Sequence, residues 1–330
     1  MKEDAKKLRN LLEEVLDIIP NSRETGIMLS GGLDSSILAC ILLSKGRRLR
    51  SISSSFKGFP MYDETEYVEM IKNKYPQLEV NFVAPLDINL LDELKELIGI
   101  IKKPITSGSP ILQHFIIKEA KQLGIKNLIY GQWADELMGG YDLFLLDKAR
   151  DDLFKLKINN ALVNIKEYIQ RSKKAGADLI LLRMIKRLVK SKGLKNELNN
   201  SIPNIKNLVD IAKKTAKNYE IELILPYADQ KIVDFCQSLN LDILVCKGQT
   251  KIILRELGDG IVPKEILKRK NKFGFFAPDA IWLLNNKKGI EKIRDKNVIK
   301  EYIKFLKNSK KRWYKKLWLA LSNYYLKEKQ

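Results

Sequence analysis

Gly26-Ile27-Met28-Leu29-Ser30-Gly31-Gly32-Leu33-Asp34-Ser35-Ser36 is the stretch from which the rest of the chain can be read. Its apolar beginning is too short for a helix and reads as a buried strand, while the apolar pattern from Ser35 to Ser44 reads as a helix. Between them sit two adjacent glycines, which let backbone approach an anion without side-chain clash. The amides and dipole of the helix start favour negative charge at that point. Ser30, Ser35 and Ser36 add hydroxyl donors. Asp34 would repel a phosphate group unless a divalent cation lay between them, so it reads as a Mg²⁺ ligand. No Gly-Lys-Ser/Thr follows and the glycines adjoin, which excludes a Walker loop and a dinucleotide fingerprint.

Outward from this stretch, short apolar runs alternate with amphipathic segments as far as residue 150: Leu49 to Phe56, Glu64 to Lys74, Val80 to Ala84, Ile111 to Leu123, Leu128 to Tyr130. Strand and helix in alternation predict an α/β fold with a doubly wound parallel sheet. Residues 151–330 lose the strands and read as helical, broken at Ser201-Ile202-Pro203-Asn204, Pro226, Gly248, Pro263 and Pro278. The expected division is therefore an α/β core over 1–150 and a helical, basic part over 151–330. The pattern Leu8, Leu11, Leu12, Val15, Leu16, Ile19 reads as an opening helix and not as a leader segment. No apolar run reaches spanning length, so no membrane partner is expected. Cys40, Cys236 and Cys246 have no metal-ligand spacing, which suits reduced thiols and a cytoplasmic protein. His114, the single histidine, reads as structural.

The net charge of +20 is unevenly spread, with 20 Lys/Arg against 21 Asp/Glu in residues 1–150 and 40 against 19 in the remainder. A basic half admits a polyanion such as RNA, an acidic protein, nucleotide phosphates, or the lysine-rich composition of heat-adapted proteins.

The Ser30–Ser36 heptad resembles the pyrophosphate loop (PP-loop) of the N-type ATP pyrophosphatases, and further runs are similar to the asparagine synthetase family. Gly131-Gln132-Trp133-Ala134-Asp135-Glu136-Leu137-Met138-Gly139-Gly140-Tyr141 resembles that family's Gly-Glu-Gly-Ala/Ser-Asp-Glu-x-Phe-Gly-Gly-Tyr. Glu222 to Asp229 is similar to its Glu-Val-Arg-Val-Pro-Phe-Leu-Asp. Lys251 to Arg255 follows Lys-x-x-Leu-Arg, and Arg269 to Phe275 follows its terminal Lys-x-Gly-Phe element. The resemblance covers residues 10 to 285. It implies an adenine-nucleotide α-hydrolase-like fold and adenylation of a carboxylate, with AMP and pyrophosphate as products and ATP and Mg²⁺ required. It further implies Asp34 and Asp135 as metal ligands, and Lys272, Lys251 and Asp135 as catalytic residues. Arg255, of the same motif as Lys251, reads either as a further cation at the nucleotide or as a structural residue. The nucleotide would meet Ser30, Gly31, Gly32, Asp34, Ser35, Ser36, Ser53 and Gly131. The substrate pocket would hold Gln132, Trp133, Glu222 and Asp229.

Departures narrow the expectation. Lysine at position 2 and the missing glutaminase portion imply that nitrogen comes from free ammonia, a separate glutaminase or an amine on the substrate. Gln132 stands where the family carries Glu and cannot act as a base, while Trp133 replaces glycine and Ile224 replaces arginine. The expected activity is an ATP-dependent amidoligase acting on a small-molecule or peptide carboxylate other than aspartate. An RNA-modifying pyrophosphatase and a nucleotide-binding subunit of reduced activity are the alternatives.

Overall fold

The structure, a computed structural model, describes residues 1–60, 62–174, 179–270, 277–307 and 314–328. Strands β1 (Thr25–Met28), β2 (Leu49–Ser54), β3 (Leu78–Val83), β4 (Asn127–Ile129) and β5 (Glu222–Ile224) form one sheet in the order β3-β2-β1-β4-β5. Every pairing is parallel, with Gly26 beside Arg50, Gly26 beside Leu128, and Ile129 beside Ile224. The α/β expectation holds, and the strands lie within two residues of the apolar runs read from the sequence. Two expectations for the second half do not hold. Glu222–Ile224 is a strand of the main sheet, and Val245–Cys246 with Gln249–Thr250 makes a small antiparallel hairpin, so the strands are not confined to residues 1–150. The expected break at Pro203 is absent, because one helix runs from Leu194 to Asn218 with this proline inside it.

Among the described residues, the α-helices before residue 258 are α1 (Lys2–Asp17), α2 (Leu33–Ser44), α3 (Thr65–Lys74), α4 (Leu90–Ile101), α5 (Ser109–Gln122), α6 (Ala134–Met138), α7 (Leu143–Phe154), α8 (Ile158–Lys174), α9 (Ile180–Lys190), α10 (Leu194–Asn218), α11 (Gln230–Ser238) and α12 (Ile252–Leu257), and further helices close the chain. Strand side chains alternate between two cores, as a pleated strand requires. Ile27 and Leu29 enter a cluster with α1, α2, α11 and α12; Met28 and Ile52 enter one with α4, α5, part of α10 and the closing helices. Because α2 is apolar on all sides and buried from Leu33 to Leu43, it must lie inside and not on the surface. Arg47 donates to the carbonyls of Leu16, Ile19 and Pro20 and so completes the end of α1. Cys40 and Cys236 are free and buried, with burial pushing each thiol up to about 12.

His114 is fully buried on α5, its Nδ1 2.7 Å from Glu93 Oε2 and its Nε2 3.0 Å from the Tyr219 hydroxyl. Lys118 closes the same network onto Glu93 and Glu96. Five polar groups thus join α4, α5 and the end of α10. His114→Ala should lower stability by about 2 kcal/mol, since Glu93 and Tyr219 lose a buried partner. Urea unfolding measures this, and a change below about 0.5 kcal/mol would contradict the linking role.

Candidate active site

In the order β3-β2-β1-β4-β5 the chain turns one way from β1 and the other way from β4, and a crevice opens where the directions diverge. The loops leaving the carboxyl ends of β1 and β4 both enter that crevice. After β1, Gly31 takes φ +73°, and a Cβ there would lie 2.9 Å from the Glu64 carbonyl oxygen and from Tyr67 Cβ. Ser30 and Ser35 knit the turn, with their hydroxyl oxygens 3.2 Å apart and the Gly32 amide donating to Ser30 Oγ at 3.3 Å. No side chain caps the start of α2, which leaves its first amides to an anion. After β4, Gly131 passes so close that a Cβ would stand 3.2 Å from the Ser35 amide nitrogen.

Three charges converge at this junction. Lys251 Nζ contacts Asp34 Oδ1 at 2.5 Å and also pairs with Asp135 Oδ1. Lys251 and Asp34 are both buried. Gly140 makes the approach possible, because a Cβ there would fall 1.8 Å from Asp135 Oδ1 and 2.2 Å from Lys251 Cε. Lys251 holds left-handed backbone at φ +53°, as does Trp133 at φ +83°, a conformation that costs a side-chain-bearing residue of order 1 kcal/mol or more. Tyr227 donates its hydroxyl to the Asp34 carbonyl at 3.0 Å and anchors the segment after β5 to the loop after β1.

A cavity of about 440 Å³ lies over this cluster. Ser30, Gly32, Asp34, Ser35, Gly131, Gln132, Trp133, Asp135 and Lys251 line it, so most of the expected site residues come together. Five do not line it. Gly31 packs against Glu64 and Tyr67, and Ser36 is buried a step further into α2. Ser53 points to the opposite face of β2 from Ile52 and Ser54, which do line the cavity; strand alternation explains the one-residue difference. Glu222 is exposed at the start of β5 beside Asn127, at the amino end of the sheet and away from the crevice. Asp229 is a helix cap, accepting from the Lys231 amide at 2.9 Å. Lys272 lies outside the described residues.

The structure adds cations that the sequence reading left unassigned. Arg269 pairs with Glu64, stacks 4.1 Å from the Tyr67 ring centre, and reaches the Gly31 carbonyl at 3.5 Å. Arg171, buried on α8, joins Glu167 at 3.0 Å, Asp142 at 2.9 Å and the Gly248 carbonyl at 2.8 Å. Together with Lys270 these arginines also line an adjoining polar cavity of about 500 Å³. Arg255 is held on the Thr250 and Leu267 carbonyls and its guanidinium falls to about 10, chiefly through burial. Glu136 rises above the usual carboxylate range, chiefly by burial and further by Asp135, against the Tyr141 hydroxyl that donates to it. It lines the main cavity and a third one of about 380 Å³ beneath α6.

Part of the main cavity's lining is uncharged: Tyr130, Gln132, Trp133, Ile205 and Leu208. Gln132 donates to the Tyr130 hydroxyl at 2.7 Å, and Gln113 donates to the same oxygen at 2.6 Å. Among the described residues, Gln132 Oε1 and the Trp133 indole nitrogen are buried without a hydrogen-bond partner.

The likeness to known proteins agrees with this geometry. A sequence model of the family described as asparagine synthase matches residues 7–318. The chain is 25% identical over 329 residues to asparagine synthetase (glutamine-hydrolyzing) 1 of Bacillus subtilis strain 168, covering 83% of this chain and 51% of that protein. Identity to asparagine synthetase (glutamine-hydrolyzing) 3 of the same organism is 23% over 268 residues, covering 73% of this chain and 43% of that one. A probable asparagine synthetase (glutamine-hydrolyzing) of Dictyostelium discoideum is 28% identical over 138 residues, 36% of this chain and 24% of its own. The chain spans about half or less of the length of these curated relatives. With the sequence match extending over nearly the whole chain and the two strand-end loops meeting as described, the chain belongs to the asparagine synthase family.

Proposed function

We propose that this site is an ATP-dependent amidoligase, in which a substrate carboxylate attacks the α-phosphorus of ATP and pyrophosphate leaves. An amine or ammonia then attacks the acyl carbon, forming the amide and releasing AMP. The observation that carries the reading is the meeting of Asp34 and Asp135 on one buried cation beside the uncapped start of α2. Two carboxylates so arranged are a donor set for a hard divalent ion, and Asp34 and Asp135 would hold Mg²⁺. When bound, that ion would neutralise charge on the departing pyrophosphate. The chain's own groups act alongside it. The first amides of α2 bind phosphate oxygens, and Lys251 and Arg269 place fixed positive charge beside the loop, an arrangement worth a few kcal/mol per group when aimed at developing charge. Lys272 belongs to the same proposal on the strength of its motif.

Gln132 accepts no proton at working pH, so the amine arrives neutral or loses its proton to another group. The uncharged part of the lining, Tyr130, Gln132, Trp133, Ile205 and Leu208, supports an acyl substrate other than aspartate. A separate ammonia source, such as a glutaminase, remains part of the proposal where the amine is not on the substrate itself.

Incubation with ATP, Mg²⁺ and a panel of carboxylic acids, with products separated by chromatography, should give AMP and pyrophosphate. ADP and phosphate as products would overturn the reading. Gly140→Ala should reduce pyrophosphate release by about 10²-fold or more, because the added methyl parts Asp135 from Lys251. Lys251→Ala should lower turnover by a similar factor. Its melting temperature should rise further on adding Mg²⁺ than the parent's does, since Asp34 and Asp135 have lost their counter-charge; an equal rise in both proteins would refute the shared-cation role. Asparagine formation from aspartate and ammonia should be negligible, and a rate near 1 s⁻¹ or faster, as enzymes typically show, would place aspartate in this pocket after all.

A further inference from the structure

Half of the strongly exposed large apolar side chains among the described residues fall within residues 153–189, on the end of α7, on α8 and on α9. Phe154 is 75% exposed, Leu156 84% and Val189 76%, levels at which a core residue is never found. Helix α9 shows why. At about 100° per residue, Ile180, Met184 and Leu188 form one stripe, and these pack against the core cluster. Leu181, Leu182, Ile185 and Val189 continue the apolar arc by about a further 100°, and all four are exposed. Arg183, Lys186, Arg187 and Lys190 occupy the remaining arc, with Arg187 turned to Asp147 and Glu197. The helix is therefore apolar on one half and cationic on the other, while the protein covers only part of the apolar half. On α8, Ile158 and Leu162 add a second exposed stripe one turn apart.

We propose that this face lies on an anionic membrane surface, with the outer arc of α9 and the Phe154–Leu162 segment entering the headgroup boundary. Residues 153–192 hold eleven Lys/Arg against two Asp/Glu; Arg171 is buried and Arg187 is paired with Asp147 and Glu197, and the remaining cations still make the surroundings of the apolar arc repel a second copy of the same face and attract anionic lipid. Helices that rest at the interface combine Leu, Ile and Phe on one side with Lys and Arg on the other, and the long basic stems reach back to the headgroups. The exposed side chains line none of the three cavities described above. That no described helix is long and apolar enough to cross a membrane concerns spanning, not lying at its surface.

The test is sedimentation of the full chain with vesicles of phosphatidylcholine alone and with 30% phosphatidylglycerol, at about 0.15 M salt. The parent should sediment with the anionic vesicles and not with the neutral ones. The double substitution Leu182→Asp, Ile185→Asp should weaken that binding tenfold or more while the circular-dichroism melting curve stays in place, since both side chains are solvent-facing. Failure to bind anionic vesicles would overturn the proposal. So would binding undiminished by the double substitution, which would leave charge alone and fit an acidic protein instead. A dimer on size exclusion that the substitution dissociates would show that a second copy covers the face.

Discussion

The ammonium of Lys251, lodged between the carboxylates of Asp34 and Asp135, is the contact on which the rest of the molecule depends. It joins the loop after β1, the loop after β4 and the segment after the small hairpin, three parts of the chain separated by about a hundred residues each. Burying such a triad is costly, because each ion loses water and the attraction only partly offsets the loss. Two carboxylates against one ammonium leave the triad itself with one uncompensated negative charge, which faces a cavity also lined by Arg171, Arg255, Arg269 and Lys270. The glycines at 131 and 140 and the left-handed backbone at Lys251 are the conformational conditions for the meeting.

The parallel sheet and its switch point were legible because their signals are local. An apolar strand ending in two glycines before an apolar helix admits few other readings, and the run Gly131 to Tyr141 repeats the arrangement one strand over. Asp34, Asp135 and Lys251, each singled out in the sequence at an element's end, meet one another in the structure. Ser53 was misplaced by one residue because a strand's two faces cannot be told apart without its neighbours, whereas Ser54 on the cavity side was equally available to a reader. Glu222 and Asp229 were carried by the motif resemblance, and in this chain they stand at a strand start and a helix cap.

What stayed hidden comes from the helical half. Arg171 sits in an ordinary amphipathic helix, and only the fold sets it against Asp142 and the Gly248 carbonyl. Ile205 and Leu208 of α10, which the sequence reading did not single out, line the cavity. The strand at Glu222–Ile224 was met in the sequence only as part of a motif, yet it forms an edge of the sheet and brings Tyr227 under the loop after β1. A composition shift near residue 150 is therefore a change in element type along a sheet that continues past it.

The central claim is that the charges at the switch point form a nucleotide site that needs a divalent ion. Calorimetric titration of a non-hydrolysable ATP analogue into the full chain, once with Mg²⁺ and once with a chelator, tests it without knowledge of the acyl substrate. The account predicts binding at least tenfold tighter with Mg²⁺, a difference of about 1.4 kcal/mol. Equal affinity in the two titrations, or no binding in either, would contradict it.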